Sequence, residues 1–417
     1  FFKQKTAYEI VDCDWSSDVC SSDLVEEAAG DLPLSATRTD AAAWSNRAAG
    51  WCRQRSHHAA DAADRIDRFD WGHRSWNDAE THLDATGPRC DPGADREATR
   101  AHDEAFWRAV MTRAVDSTVA ADWVEHVATA MGGNLRLQVR FQRTLGDAER
   151  ASAAQILSGI SARILRWSDL ATRHRPSQLT ALNADSRAGA HIGPTLTAML
   201  AWAAEAYELT GGLVDVGLLT QRVAAESVHE AIPVPTSDRR WTVDAEVREF
   251  SGSRLICGGT VSRPHGMMFD LDGIGKGWIV DRAVDALTRQ LDSASARGAL
   301  PAWSGCFVDG DGDIALRHRG GAQTVVSVQI PRAAEAVIGS LTVAGESGVA
   351  TSGTGVHRWG GRHHLIDPRT GEPSNSGIAQ ATVVADSARR AEAWAKAIVI
   401  GGPAAIRRAE EIGRAHV

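Results

Sequence analysis

Residues 349–373, V-A-T-S-G-T-G-V-H-R-W-G-G-R-H-H-L-I-D-P-R-T-G-E-P, crowd hydroxyls, glycines, histidines and a carboxylate into one short segment. Thr351, Ser352 and Gly353 can present hydroxyl and N–H donors to an anion, because a glycine-rich turn leaves its amides unobstructed. His363 and His364 add a proton acceptor, and Asp367 a partner able to orient it. Taken singly, each element also fits a Ser/Gly loop followed by a P-R-T-G turn. A second segment, residues 269–282, reads F-D-L-D-G-I-G-K-G-W-I-V-D-R, a strand running through a Gly-rich turn into a helix. That order places Lys276 and unpaired N–H groups at a helix N-terminus, where a phosphate is favoured. It is not a Walker loop, since the glycine spacing differs and no Ser or Thr follows the lysine.

Lysine usage points to the same places. The chain has 45 Lys plus Arg, yet lysine stands only at 3, 5, 276 and 396. An ammonium is a compact point charge and a guanidinium a planar fork, so the two are not interchangeable beside a phosphate. In A-E-A-W-A-K-A, residues 391–397, Glu392 and Lys396 lie four apart. On a solvated helix face such a pair contributes only ~0.2–0.5 kcal/mol. The acidic run F-V-D-G-D-G-D-I, residues 307–314, lacks the downstream glycine and terminal Glu of an EF-hand.

The pair A-T-S-G and H-L-I-D-P-R-T-G resembles the signature of the FAD:protein FMN transferases, the ApbE family, which reads A-T-S-G followed by H-I-I-D-P-R-T-G. D-L-D-G-I-G-K-G-W-I-V-D is similar to that family's D-L-G-G-I-A-K-G-Y-A-V-D, with Lys276, Gly277 and Asp281 matched and Trp278 at an aromatic position. R-H-R-P-S-Q-L-T-A-L-N resembles R-F-R-P-x-S-x-L-x-x-L-N with one residue fewer, which sets Ser177 and Asn183 beside the flavin; Ser177 as a helix N-cap is the structural alternative. T-G-G-L-V-D-V-G resembles T-G-G-x-F-D-P-T-V-G without its Pro-Thr pair and keeps Asp215. F-V-D-G-D-G-D-I resembles V-N-A-G-G-D-I, with Asp313 kept and Asp311 at the first glycine's position.

The resemblance covers residues 123–410 and implies transfer of FMN from FAD to a Ser or Thr hydroxyl of a partner flavoprotein, with release of AMP. It makes FAD the substrate, His364 the base and Asp367 its orienting partner. Thr351, Ser352, Lys276 and Lys396 would stabilise the diphosphate oxygens, and Met131, Ser177, Asp215, Asp281, Asp313 and Gly353 complete the flavin site, with Met131 and Trp278 as ring-holding walls. The family holds Mg2+ with the Asp and Thr of A-D-A-L-A-T-A and a carbonyl of the lysine loop. Here the carbonyl of Gly275 and the carboxylate of Glu392 are the metal candidates, while Lys396 replaces the Thr. An ammonium cannot ligate magnesium, so the family implies the metal and these two residues question it, with Lys396 as an alternative fixed charge. The other readings are an FAD diphosphatase making FMN and AMP, and a flavin-binding protein without catalysis.

These segments need a scaffold that alternates strand and helix. Leu135, Leu137, Val139 and Phe141 show the period-two pattern of a half-buried strand. Helices are expected at residues 150–174, at 194–209 with a stop at Gly211-Gly212, from 276 through Leu287, and at 387–400, with strands at 305–308, 324–330 and 379–385. The expectation is an α+β fold of mixed and antiparallel sheets with packed helices, and the resemblance adds an ApbE-like, T-fold-like architecture.

The functional domain is expected over residues 111–410. Residues 1–24 and 411–417 resemble translated sequencing-library adapters. Residues 25–110 hold five tryptophans, at 44, 51, 71, 76 and 107, without periodic aliphatic residues, which suits a disordered extension or an out-of-frame stretch ahead of Met111. The net charge of -8 without a basic run argues against nucleic acid, and no apolar stretch approaches the ~20 residues of a membrane span. Cys257 and Cys306, the two cysteines of the body, have neither disulfide nor zinc spacing, and with the apolar-poor start at Met111 they suggest the cytoplasm.

Overall fold

The computed structural model describes residues 8–10, 122–227, 232–234, 240–250, 253–330 and 333–411. The expectations for residues 25–110, for a start at Met111 and for 412–417 lie outside them. In chain order the elements are β1 (Tyr8–Ile10), β2 (Asp122–Ala130), β3 (Gly133–Phe141), α1 (Asp147–Ala171), α2 (Gln178–Ala184), β4 (Gly189–Ile192), α3 (Pro194–Thr210), α4 (Leu219–Glu226), β5 (Thr242–Phe250), β6 (Ser253–Ser262), α5 (Gly275–Ala296), β7 (Trp303–Gly310), β8 (Ile314–His318), β9 (Gln323–Ile330), β10 (Ala333–Ala344), β11 (Glu346–Gly353), β12 (Arg358–Trp359), β13 (Arg362–His363), β14 (Gln380–Ala385), α6 (Ala388–Gly401) and α7 (Pro403–Glu411).

Six strands form an antiparallel sheet in the order β14-β11-β8-β7-β3-β2. Alternation decides which face of it is covered. Leu135, Leu137, Val139 and Phe141 point to one face of β3 and are fully buried. Over that sheet α1 packs on β2 and β3, α5 on β7 and β8, and α6 on β11 and β14. A hairpin of β9 and β10 lies on the same strands through a separate core of Phe307, Leu316, Val326, Val343 and Val349. The second sheet is mixed: β6 pairs antiparallel with β4 and β5 and parallel with β1, the one described part of the adapter-like start. Helix α3 packs on it and ends at Gly211 in the left-handed region, φ 66°, as Gly-Gly implied.

The α+β expectation therefore holds. Two local expectations do not. Residues 269–274 form no strand, and the A-T-S-G run is not a turn but the end of β11. Among the described residues no helix is long and apolar enough to cross a membrane.

Candidate active site

The lysine loop is extended chain whose backbone groups find partners other than a neighbouring strand. Asn183 brackets Phe269, donating Nδ2–H to its carbonyl at 2.8 Å and accepting its N–H at 2.8 Å. The next N–H, of Asp270, donates to the Val216 carbonyl at 2.8 Å. The loop of Asp215 thus braces the lysine loop, while Asp215 Oδ1 accepts the Gly217 N–H at 2.7 Å. Ser177 takes the structural alternative, because its Oγ accepts the Thr180 N–H at 3.0 Å as N-cap of α2 and donates to the Thr172 carbonyl at 2.5 Å.

At the start of α5 the expected free donors are partly spent. The Gly275 N–H donates to Leu271 O at 2.8 Å and the Gly277 N–H to Glu392 Oε2 at 2.9 Å. A carboxylate of α6 thereby caps α5. The favour is returned: Asp281 of α5 accepts the N–H groups of Ala388 and Arg389, at 2.9 and 3.0 Å, on the first turn of α6. Asp281 is expected from the resemblance to serve the flavin, yet both its oxygens are occupied by backbone, which makes it a helix cap. Burial pushes its carboxyl up to about 6, against the two N–H groups that favour its charge. Close backbone contact makes the mutual capping possible. A Cβ at Gly348 of β11 would lie 2.0 Å from Ala388 N, so only glycine admits α6 at this distance.

Trp278 is no ligand wall either. It is buried edge-on against Trp167, centroids 6.3 Å apart, between α1 and α5.

Two tight hairpins lie against each other, and the second of them meets Lys276. Met131 and Gly132, φ 54° and 80°, join β2 to β3, and Asp311 and Gly312, φ 66° and 95°, join β7 to β8. Both are two-residue loops with positive φ at each position, the turn whose twist suits paired strands. Asp311 packs so closely on Gly133 that a Cβ there would fall 2.3 Å from its Cγ, and its Oδ2 lies 3.5 Å from Lys276 Nζ. Asp309 Oδ1 closes the loop by accepting the Gly312 N–H at 2.8 Å. Asp313 is buried, its Oδ1 has no partner, and burial with the nearby Glu392 pushes its carboxyl well above the ordinary range.

Thr351, Ser352 and Gly353 owe their donors to a strand edge. β11 is paired with β14 through Gly353 but with β8 only as far as Val349. Beyond Val349 one edge is open. Register carried forward would bring Thr351 opposite Gly312, at the mouth of the aspartate hairpin. Thr351 Oγ1 shares a hydrogen bond with Thr382 Oγ1 at 2.9 Å, and Ser352 is buried.

The histidines divide by environment. His363 is buried, with Nε2 on the Ser374 carbonyl at 2.9 Å and Nδ1 accepting the Leu365 N–H at 3.3 Å, and burial lowers its basicity. Its role is structural. His364 keeps a buried Nδ1 without a partner and packs edge-on to His357, centroids 5.2 Å apart. The expected orienting bond from Asp367 is absent. Arg369 occupies both of its oxygens, Nε at 2.8 Å on Oδ1 and Nη2 at 2.6 Å on Oδ2, because a guanidinium two residues away fits the turn better than an imidazole across it. Burial raises the Asp367 carboxyl, but Arg369 wins and holds it below the ordinary range.

His357, which sequence reasoning missed, ties the parts together. It sits at φ 48°, a left-handed backbone costing ~1–2 kcal/mol outside glycine, and no spacing rule announces that. Burial lowers its basicity first, then the charges of Arg222 and Lys276, with Asp272 and Asp311 opposing. It therefore lies within electrostatic reach of the lysine loop and the aspartate hairpin. The link behind it was also missed, because no helix was expected at Leu219–Glu226. Arg222 of α4 stacks on Trp359 at 4.9 Å and holds Glu226 at 2.8 Å, while Arg173 joins Glu226 to Asp272 at 3.1 Å and Asp270 at 3.5 Å.

The metal the family implies is not matched by these residues. Among the described residues no group of three or more His, Cys, Asp or Glu could hold an ion. Glu392 Oε2 is held by Gly277 and Oε1 by the Lys396 ammonium at 2.9 Å, while Gly275 offers only backbone. Burial works against that ammonium, but Glu392 and Asp313 outweigh it and raise its pKa.

This chain is similar to several known proteins. The curated FAD:protein FMN transferase of Klebsiella pneumoniae (strain 342) is 32% identical over 158 residues, 35% of this chain and 44% of that protein. Its namesake in Escherichia coli (strain K12) is 28% identical over 142 residues, 32% and 37%. Each match thus spans less than half of the relative's length. Among solved structures, the ApbE protein of Thermotoga maritima MSB8 is similar at TM-score 0.52 and 21% identity, covering 70% of this chain and 93% of that one. The flavin transferase ApbE of Vibrio cholerae is similar at 0.50 and 23%, covering 70% and 92%, which shows a shared fold. The ApbE family pattern matches residues 131–415, most of the chain and every loop described above except those before Met131, and the chain belongs to the ApbE family.

Proposed function

We propose that this chain moves the FMN half of FAD onto a Ser or Thr hydroxyl of an acceptor flavoprotein and releases AMP. The observation that carries the reading is the meeting of Lys276, the Asp311 hairpin and the His357–His364 pair in one electrostatic neighbourhood. His364, whose imidazole makes no hydrogen bond among the described residues, accepts the hydroxyl proton while the oxygen attacks the FMN-side phosphorus. The bond from that phosphorus to the bridging oxygen breaks, and AMP leaves with the electron pair. Asp311 is the resting counter-ion of Lys276, and a half-exposed pair at 3.5 Å is weak enough for a diphosphate to displace. Thr351, Ser352 and Gly353 offer donors from the open edge of β11, Met131 and Asp215 line the flavin, and Asp281 and Ser177 act through the helices they cap.

The test incubates the chain with FAD and an acceptor flavoprotein. AMP together with flavin mass on the acceptor supports the transfer. AMP with free FMN makes the chain a diphosphatase, and intact bound FAD makes it a carrier.

A further inference from the structure

Glu392 and Lys396 lie one turn apart on α6, yet they do not form a solvated surface pair: Glu392 is 0% exposed and Lys396 only 11%. An ammonium enters a protein interior only where acceptors meet its N–H groups. Glu392 Oε1 meets one of the three at 2.9 Å, and the carboxylate itself is fixed because Gly277 N–H holds Oε2 at 2.9 Å. The lysine stem runs past the loop that leads to Lys276, with Cδ and Cε 3.8 Å from where a Cβ on Gly273 would sit. Asp313, 6% exposed and close enough for its charge to act on Lys396, keeps a side-chain oxygen that has no partner. A divalent ion on Glu392 would need the oxygen that Lys396 holds and would drive one positive charge against another. Apart from Lys276 and two residues in the first five, every other permanently cationic side chain of this sequence is arginine, whose planar fork does not fit where a single point charge sits.

We infer that the Lys396 ammonium is the resident cation of this site, excluding a divalent metal from Glu392 and neutralising the diphosphate of the ligand in its place. The first clause stands on the geometry alone, and the second rests on the flavin reading above. Two of the three N–H groups remain for phosphate oxygens, and the helix delivers them at a fixed position.

Two measurements test it on the full chain. Mn2+ titration followed by electron paramagnetic resonance is expected to show no ion bound at the site of the wild type, and Glu392→Asp/Lys396→Thr to gain one. FAD affinity, read by flavin fluorescence, is expected to change by less than about twofold on adding EDTA. Lys396→Thr alone leaves Glu392 buried without its partner and is at risk of unfolding, so Glu392→Gln/Lys396→Met, similar in volume and free of charge, is the companion. It is expected to lose about tenfold or more in FAD affinity, with no rescue by Mg2+. Stoichiometric Mn2+ binding by the wild type at Glu392, or FAD binding that collapses on chelation and returns with Mg2+, overturns the inference. Metal exclusion combined with no FAD binding in any buffer refutes the flavin reading and leaves the cation assignment standing.

Discussion

Asp281 offers a sharp test of how the two helices behind the site are held. Its oxygens take the Ala388 and Arg389 N–H groups at 2.9 and 3.0 Å, and burial pushes its carboxyl from 3.8 up to about 6. With the folded value above the unfolded one, the stability due to the neutral acid is complete below about pH 4 and is lost as pH rises through 6. Between pH 4.5 and 7 that loss is about 2 kcal/mol. Asp281→Asn cannot titrate and keeps one acceptor. Its unfolding free energy, measured by urea denaturation, is therefore expected to gain about 2 kcal/mol on the wild type as pH goes from 4.5 to 7. Asp281→Ala leaves both N–H groups unpaired, one more than the asparagine variant, and is expected to lie about 1–3 kcal/mol below it at both pH values. Parallel pH curves for wild type and Asp281→Asn would show that the carboxylate is not buried against α6, and the capping argument would fail.

Gly348→Ala puts a Cβ 2.0 Å from Ala388 N and 2.1 Å from Ser387 C, backbone atoms that cannot step aside, so a loss of about 3 kcal/mol or more is expected in thermal unfolding, at or beyond the top of ordinary overpacking. Gly159→Ala, exposed on α1 with nothing within 4 Å, is the control and should gain about 0.5–1 kcal/mol; an equal loss at both positions would contradict the packing read from β11 and α6. His364→Ala is expected to lower AMP release by about 10²–10⁴-fold while FAD still binds. Asp367→Asn should cost far less, since it loosens only the turn made with Arg369, and an effect as large as that of His364→Ala would return the orienting role to Asp367.

The elements legible from spacing were those whose burial is one-sided. β3 announces itself through Leu135, Leu137, Val139 and Phe141, and α3 and α6 fall within a residue or two of their expected ends because periodic apolar positions and glycine stops are local signals, whereas α5 begins where expected but runs past Leu287 to Ala296. The histidine segment and Lys276 were likewise visible, since their residue types are few and closely spaced. What failed were the inferences about distant partners, whereas the local ones, Ser177 as an N-cap and Glu392 with Lys396 one turn on, are seen. F-D-L-D alternates like a strand, but Asn183 and Val216 supply its hydrogen bonds, so no ladder forms. A-T-S-G reads as a turn by composition and becomes a strand because β14 lies beside it.

Side-chain chemistry and the sites where charge is available were thus written into the order of residues: one lysine after a glycine turn, a second on a helix, histidines before a proline turn. Which carboxylate answers which cation was decided in three dimensions. Asp367 went to Arg369, Asp281 to the start of α6, and Glu392 to both Gly277 and Lys396. The reason is that a buried polar group must find a partner within about 3 Å, and the backbone amides and ammonium that satisfy Asp281 and Glu392 lie more than a hundred residues away or on a helix face that only packing against α5 turns inward.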